Sequence, residues 1–166
     1  RNLNAILGQF NHVLVVDNAS TNIAEVKCLI KELKIVELRK LTDNFGIAYA
    51  QNIGLRLAAE SKMIWLLTMD QDSIIPSNLS REYEKVLRSH RRVGLVGWNQ
   101  HSDNKNNGDG VREDWFILSS GCLMNVRALR ECGGFDERLF IDHVDTDANI
   151  KIRNLGYRSF TTSAVK

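Results

Sequence analysis

Two carboxylates set two residues apart, Asp70 and Asp72 in Met69-Asp70-Gln71-Asp72-Ser73, carry the clearest chemical signal in this sequence. Acidic groups that close repel one another unless a cation or a hydrogen-bond network holds them. Hard divalent ions such as Mg²⁺ and Mn²⁺ take oxygen ligands and often share them with the phosphates of a bound molecule. The apolar run from Met63 to Met69 has the length and residue types of a buried strand, so both carboxylates are expected just past its carboxyl end. Ligands of open α/β sheets bind at that edge. Taken alone, an Asp-x-Asp reads equally as a solvated acidic turn.

Two further acidic sites stand at comparable places. Asp17 closes the strand-like run His12 to Val16, and Asp142, Asp145 and Asp147 cluster at a helix start. Three such sites in one domain suggest a polyphosphate–metal site with a separate acid/base carboxylate. Aspartate is also a favoured helix cap, which is the alternative for one of Asp142 and Asp145. His143 is a candidate ligand or the partner of a local hydrogen bond. Ser119-Ser120-Gly121 places small residues where a backbone could approach a ligand, or where strands pack tightly. Trp98 and Trp115 suit stacking on a sugar face, or packing in the core or its rim.

The elements that must position these groups follow from hydrophobic periodicity. A helix carrying Leu3, Ile6, Leu7 and Phe10 opens the chain, with no strand before it; the reading is a fragment without its first strand. After the Asp17 strand, Asn22 with Glu25 three residues on predicts a capped helix with Ile23, Val26, Ile30 and Leu33 inward. A strand over Lys34 to Leu38 precedes a turn through Asp43-Asn44-Phe45-Gly46 and a helix with Ile47, Ala50, Ile53, Gly54, Leu57 and Ala58 on one face. Past the Asp-x-Asp strand, Pro76-Ser77-Asn78 begins a helix bearing Leu79, Tyr83, Val86 and Leu87, and Val93 to Gly97 forms a strand. Strands are then expected over Asp114 to Ser119 and Gly121 to Val126, turns as far as Gly134, and a final helix with Val144, Ala148, Ile152 and Leu155 inward. Strands alternating with helices predict an α/β fold with a mixed, mostly parallel sheet covered on both faces.

The segment His101 to Gly110, rich in Asn, Asp and Gly, is expected to be a poorly ordered loop. It is not a calcium loop. Counting from Asp103, Lys105 falls on a ligand position and Asp114 replaces the closing glutamate. With 166 residues, 25% of them charged, the chain suits one domain with a real core. A net charge of +2 with scattered basic residues gives no nucleic-acid footprint. Cys28, Cys122 and Cys132 have no metal or redox spacing and fit reduced thiols in the cytosol. No run approaches a transmembrane helix.

The order of Val15-Val16-Asp17-Asn18-Ala19-Ser20, Asn44-Phe45-Gly46 to Asn52-Ile53-Gly54, Met69-Asp70-Gln71-Asp72-Ser73, Ser120-Gly121-Cys122-Leu123, Gly133-Gly134-Phe135-Asp136-Glu137 and Asp145-Thr146-Asp147 resembles the family 2 glycosyltransferases. The segment Phe140-Ile141-Asp142-His143-Val144-Asp145 is similar to their bacterial rhamnosyltransferase branch. The resemblance runs from about Leu3 to Tyr157. It implies a GT-A domain over residues 1–166, short of its first strand and of C-terminal elements, with a nucleotide-sugar donor at the strand ends. By that similarity Asp17 contacts the nucleotide base, Asp70 the ribose, and Asp72 a Mn²⁺ or Mg²⁺ ion bridging the diphosphate. Asp145 is then the catalytic base of an inverting transfer, and Asn18, Asn44, Gly46, Asn52, Gly121 and Asp142 are substrate-binding. The implied donor is a dTDP- or UDP-sugar, dTDP-rhamnose first. The implied acceptor is a polysaccharide or lipid-linked glycan, as in O-antigen synthesis, with the 101–110 loop bordering it. A cytoplasmic place with peripheral association at the inner face of the membrane goes with that role. Two positions depart from many relatives: Val144 stands where they carry Glu, and Gln51 where they carry Arg.

A rival reading is a Mg²⁺-dependent phosphohydrolase with an aspartyl nucleophile. It needs the motif on its first strand and a well-placed lysine, and this chain offers neither. A non-catalytic nucleotide-sugar-binding fragment is the third reading.

Overall fold

The computed structural model describes residues 2–98 and 110–163. Helix α1 (Asn2–Leu7) leads into β1 (Val13–Asp17), α2 (Ile23–Ile30), β2 (Val36–Lys40), α3 (Gly46–Glu60) and β3 (Trp65–Thr68). Then come α4 (Leu79–Ser89), β4 (Val93–Trp98), β5 (Val111–Glu113), β6 (Cys122–Asn125), α5 (Val126–Glu131), a 3₁₀ turn (Glu137–Leu139), α6 (Val144–Asn154) and β7 (Arg158–Thr162). β1 pairs with β2 in parallel, and a second sheet has the order β3-β6-β4-β7-β5. In that sheet β6 runs antiparallel to both β3 and β4, β7 runs parallel to β4, and β5 runs antiparallel to β7. The result is the mixed α/β fold that the alternation predicts.

Alternation along the strands divides the core between the faces, and an irregularity of β4 between Val93 and Leu95 puts those two residues on opposite sides. Leu95, Cys122 and Met124 point to one side, where Leu55 and Ala58 of α3, Ala128 and Leu129 of α5, and Ala148 and Ile152 of α6 pack. Val93, Val96, Leu123 and Phe160 point to the other, against Ile6 of α1 and Leu79, Tyr83 and Val86 of α4. Each fully buried Leu, Ile or Met side chain contributes about 2–3 kcal/mol. Helix α3 also joins the two sheets: a Cβ on Gly54 would lie 3.7 Å from Leu66 of β3 and 4.0 Å from Leu14 of β1.

Several expectations are corrected. Residues 114–119 are not a strand; the strand is Val111–Glu113, after which the Asp114 amide still bonds the Ser159 carbonyl of β7 and the Ile117 amide bonds the Asn149 side chain of α6. The expected turns before Gly134 hold α5, capped by the Asn125 side chain, which accepts the Ala128 amide at 3.0 Å. Strand β7 was not read from the sequence, yet it lies inside the sheet between β4 and β5. Asn22 does not cap α2 through its side chain; its carbonyl accepts the Glu25 amide at 2.9 Å. Leu155 is not inward but 38% exposed. Residues 99–109, with most of the loop expected over His101 to Gly110, lie outside the described residues. The cysteines are unpaired. Among the described residues no helix is long and apolar enough to cross a membrane.

Candidate functional site

β3 ends at Thr68, and the chain turns through Asp70 and Asp72 at its carboxyl edge. The turn hangs on residues 119–121, just before β6. The Thr68 hydroxyl donates to the Ser119 carbonyl at 2.5 Å, and the Gly121 amide donates to the Thr68 carbonyl at 2.8 Å. The Asp70 amide donates to Ser120 Oγ at 3.3 Å, and the Ser120 and Ser73 hydroxyls are bonded at 2.7 Å. The Asp70 carboxyl is held above its ordinary range, first by burial and then by the charge of Asp72; Asp145 adds to this, and a Ser120 hydrogen bond opposes it. Carboxylates from two distant parts of the chain, the 70–72 turn and Asp145, therefore share one electrostatic neighbourhood.

Asp145 sits in the first turn of α6, where aspartate suits the unpaired amides of a helix start. Its Oδ1 accepts the Thr146 amide at 2.9 Å. The helix-cap position belongs to His143, which is left-handed (φ 63°) and makes no side-chain cap bond. Asp142 and His143 are exposed, and Asp147 pairs with Lys151 at 2.6 Å. Among the described residues no three His, Cys, Asp or Glu side chains gather to enclose a metal. The excess negative charge around Asp70 is nonetheless the condition that attracts a cation. A divalent ion fits at Asp72 only with further oxygens from a second molecule, and a diphosphate supplies such oxygens.

Asp17 ends β1 at 6% exposure, and its Oδ2 accepts the Ser20 amide at 3.2 Å. Asn18 spans the gap to α3: its Nδ2 donates to the Gly46 carbonyl at 3.0 Å and its Oδ1 accepts the Phe45 amide at 3.2 Å. Asn44 Oδ1 accepts the Gly46 amide at 3.0 Å. Asn18 and Asn44 thus spend side-chain polar groups building a wall between β1 and α3. The start of α3 is closed by a carbonyl from far along the chain. Phe140 O accepts the Ile47 amide at 2.7 Å and the Ala48 amide at 3.4 Å. Gly46 makes that contact possible, since at φ +84° a Cβ would meet Phe140 O at 2.5 Å. Gly46→Ala is therefore expected to destabilise the fold by about 2 kcal/mol, combining a left-handed conformation with a backbone clash. Chemical denaturation checks this, and unchanged stability would contradict it.

Two other sequence candidates also serve the protein itself. Asn52 Nδ2 donates to the Phe135 carbonyl at 2.9 Å and to Glu137 at 2.8 Å, and its Oδ1 accepts the Phe135 amide at 3.0 Å. It faces a groove of about 670 Å³ shared with Arg56, Arg130 and Glu137, which none of Asp17, Asp70, Asp72 and Asp145 lines. Gly121 is buried at φ +72°, with a Cβ position 2.5 Å from Trp98 Nε1, and its carbonyl accepts the Tyr83 hydroxyl. Its close approach is to the Trp98 indole, in the tight-packing sense. Trp115 is 78% exposed with the Arg153 guanidinium 3.8 Å from its ring centroid. Gln51 carries a buried Oε1 with no hydrogen-bond partner. Sequence reasoning missed Asn149 and the bonding role of the Tyr83 hydroxyl. The available signal for Asn149 was a lone amide beside the inward stripe of α6.

Comparison with known proteins agrees with this geometry. The profile of "Glycosyl transferase family 2" matches residues 1–140. The dTDP-rhamnosyl transferase RfbF of Shigella flexneri is 29% identical over 181 aligned positions, covering 94% of this chain. This chain spans 60% of that relative's length. Among solved structures, the mannosyltransferase PcManGT from Pyrobaculum calidifontis, in complex with GDP-Man and Mn²⁺, superposes with a TM-score of 0.76 at 22% identity. That match covers 99% of this chain and 50% of the other. GalNAc-T7 with UDP, GalNAc and Mn²⁺ gives a TM-score of 0.74 at 12% identity, over 92% and 36% of the two chains.

Proposed function

Because this chain belongs to glycosyl transferase family 2, we propose that it transfers a sugar, rhamnose from dTDP-rhamnose, to a hydroxyl of a polysaccharide or lipid-linked glycan. The observation that carries this reading is that the Asp70–Asp72 turn and the Asp145 backbone of α6 are tied to one stretch of chain, residues 117–121. A donor-binding pair on one side and a separate carboxylate on the other suit displacement at a sugar carbon. The relative named for dTDP-rhamnosyl transfer supports the choice of donor, and the Mn²⁺ in two structural neighbours supports a divalent ion.

In this mechanism Asp17 accepts a hydrogen bond from the pyrimidine imide N–H, at the end of the wall that Asn18, Asn44 and Gly46 build. Asp70 accepts from a ribose hydroxyl. Asp72 holds Mn²⁺ or Mg²⁺ together with the diphosphate oxygens. When bound, that ion offsets the charge that grows on the departing nucleoside diphosphate. Asp145 takes the proton of the acceptor hydroxyl as its oxygen attacks the anomeric carbon from the opposite face. The new bond forms as the old glycosyl–phosphate bond breaks, and configuration inverts. Asp142, exposed in the turn just before α6, contacts the acceptor.

Thermal unfolding with dTDP, UDP and GDP, each with and without Mn²⁺, tests this function. Stabilisation of several degrees is expected with dTDP or UDP, and only when Mn²⁺ is present. No stabilisation by any nucleoside diphosphate would refute it. Fluoride-sensitive phosphatase activity would favour an aspartyl phosphohydrolase instead.

A further inference from the structure

We propose that Asn149 is a positioning residue that holds Asp145 in register with the Asp70–Asp72 turn. The inference rests on the reading of Asp145 as the base. Asn149 lies one turn below Asp145 on α6 and is 1% exposed. A carboxamide offers one acceptor and two donor hydrogens in a fixed plane, and here all are used. Nδ2 donates to the Asp145 carbonyl and to the Ile117 carbonyl, both at 2.8 Å, and Oδ1 accepts the Ile117 amide at 2.9 Å. One side chain thus grips the backbone that carries the base and the backbone that leads to Ser119 and Ser120.

Those two serines are the anchors of the Asp-x-Asp turn, through Thr68 Oγ1 and the Asp70 amide. Ile117 cannot drift inward, because Gly97 lies directly under it: a Cβ there would meet Ile117 Cγ2 at 2.3 Å. The path Asp145–Asn149–Ile117–Ser120–Asp70 is therefore short and buried in its middle. A leucine at 149 would leave the Ile117 amide and carbonyl, buried at 3% exposure, without their Asn149 partner. Beyond that pairing, the gain from an amide is geometric. It fixes the separation between the proton acceptor and the donor-binding turn, a quantity on which turnover depends steeply.

The test is a double-mutant cycle in the full chain, reading dTDP release from dTDP-rhamnose, with water as acceptor. Asn149→Asp keeps the acceptor for the Ile117 amide, but as a carboxylate it loses both donations. It is expected to lower kcat by about tenfold or more while the affinity for the nucleoside diphosphate stays within about twofold. On the Asp145→Asn background it should change kcat by less than about twofold, because it acts through that carboxylate. Equal losses on both backgrounds would mark a merely structural role and overturn the proposal. Parental turnover in Asn149→Asp, with Asp145→Asn impaired, would overturn this inference alone. Full turnover in Asp145→Asn would overturn the base and this inference together. Asn149→Ser, which keeps a single donor, replaces Asn149→Asp if that variant does not fold. Failure of both to fold would place Asn149 in the core and also overturn the proposal.

Discussion

Asp145→Asn should lower turnover by roughly 10²-fold or more and leave nucleoside diphosphate binding nearly intact. The substitution removes the proton acceptor and little else. Asparagine retains an oxygen for the Thr146 amide that Asp145 Oδ1 now accepts, so the first turn of α6 keeps its partner. In the proposed mechanism Asp72 would not take over, because a carboxylate that shares a metal with the leaving diphosphate would stand on the wrong face of the reacting carbon. Asp147 is engaged by Lys151, and Asp147→Asn should have a much smaller effect. Asp142 is the competitor, exposed in the turn just before α6. Steady-state kinetics of Asp145→Asn and Asp142→Asn, with binding measured separately, decide between them. A large loss in Asp142→Asn with none in Asp145→Asn would reverse the assignment.

Asp72→Asn is expected to abolish the Mn²⁺-dependent stabilisation by dTDP and to lower turnover by roughly 10²- to 10³-fold. The loss should persist at saturating donor. The same change should act in the opposite direction on the unliganded protein. Asp70 is raised above its ordinary range, with Asp72 the second cause after burial. The folded chain therefore holds that proton more tightly than the unfolded chain. The stability from this group is present below the ordinary carboxylate range and is lost as pH rises through the raised value. Removing the Asp72 charge lets Asp70 titrate lower, and above that range unliganded Asp72→Asn should melt higher, by about 2 °C. Carboxyl-detected NMR titration of Asp70 and melting curves across pH check both parts. Metal-dependent turnover at the parental level would sink the role given to Asp72.

The carboxylates were legible in the sequence because each ends or begins a strongly periodic element: Asp17 after β1, Asp70 and Asp72 after β3, Asp145 at the start of α6. What joins them was not. Residues 114–119 have strand-like composition, but the Ile117 amide and carbonyl bond to the Asn149 side chain, a tertiary contact that no local pattern announces. The helical content of Val126–Glu131 was obscured by the glycines that follow it. β7 was missed because Ser159, Thr161 and Thr162 are polar residues that the neighbouring strands bury. The asparagines of the family-like motifs read as ligand contacts, since amides suit that purpose as well as they suit holding turns. In the structure Asn18, Asn44 and Asn52 hold turns.

The closure of α3 by Phe140 has a bearing on how such a site can change. The latch is made entirely of main-chain atoms, a carbonyl oxygen and two amides. The side chain at 141 does not enter into it and is largely solvent-facing, at 64% exposure, whereas the Phe140 ring lies against Gly46 and its backbone is left-handed at φ 57°. Selection can therefore rewrite the rim at 141 without unfastening the strap that bears Asp142 and Asp145. Glycine at position 46 is the fixed term of the arrangement; the rim is its free variable, and the place to begin when redesigning what the site accepts.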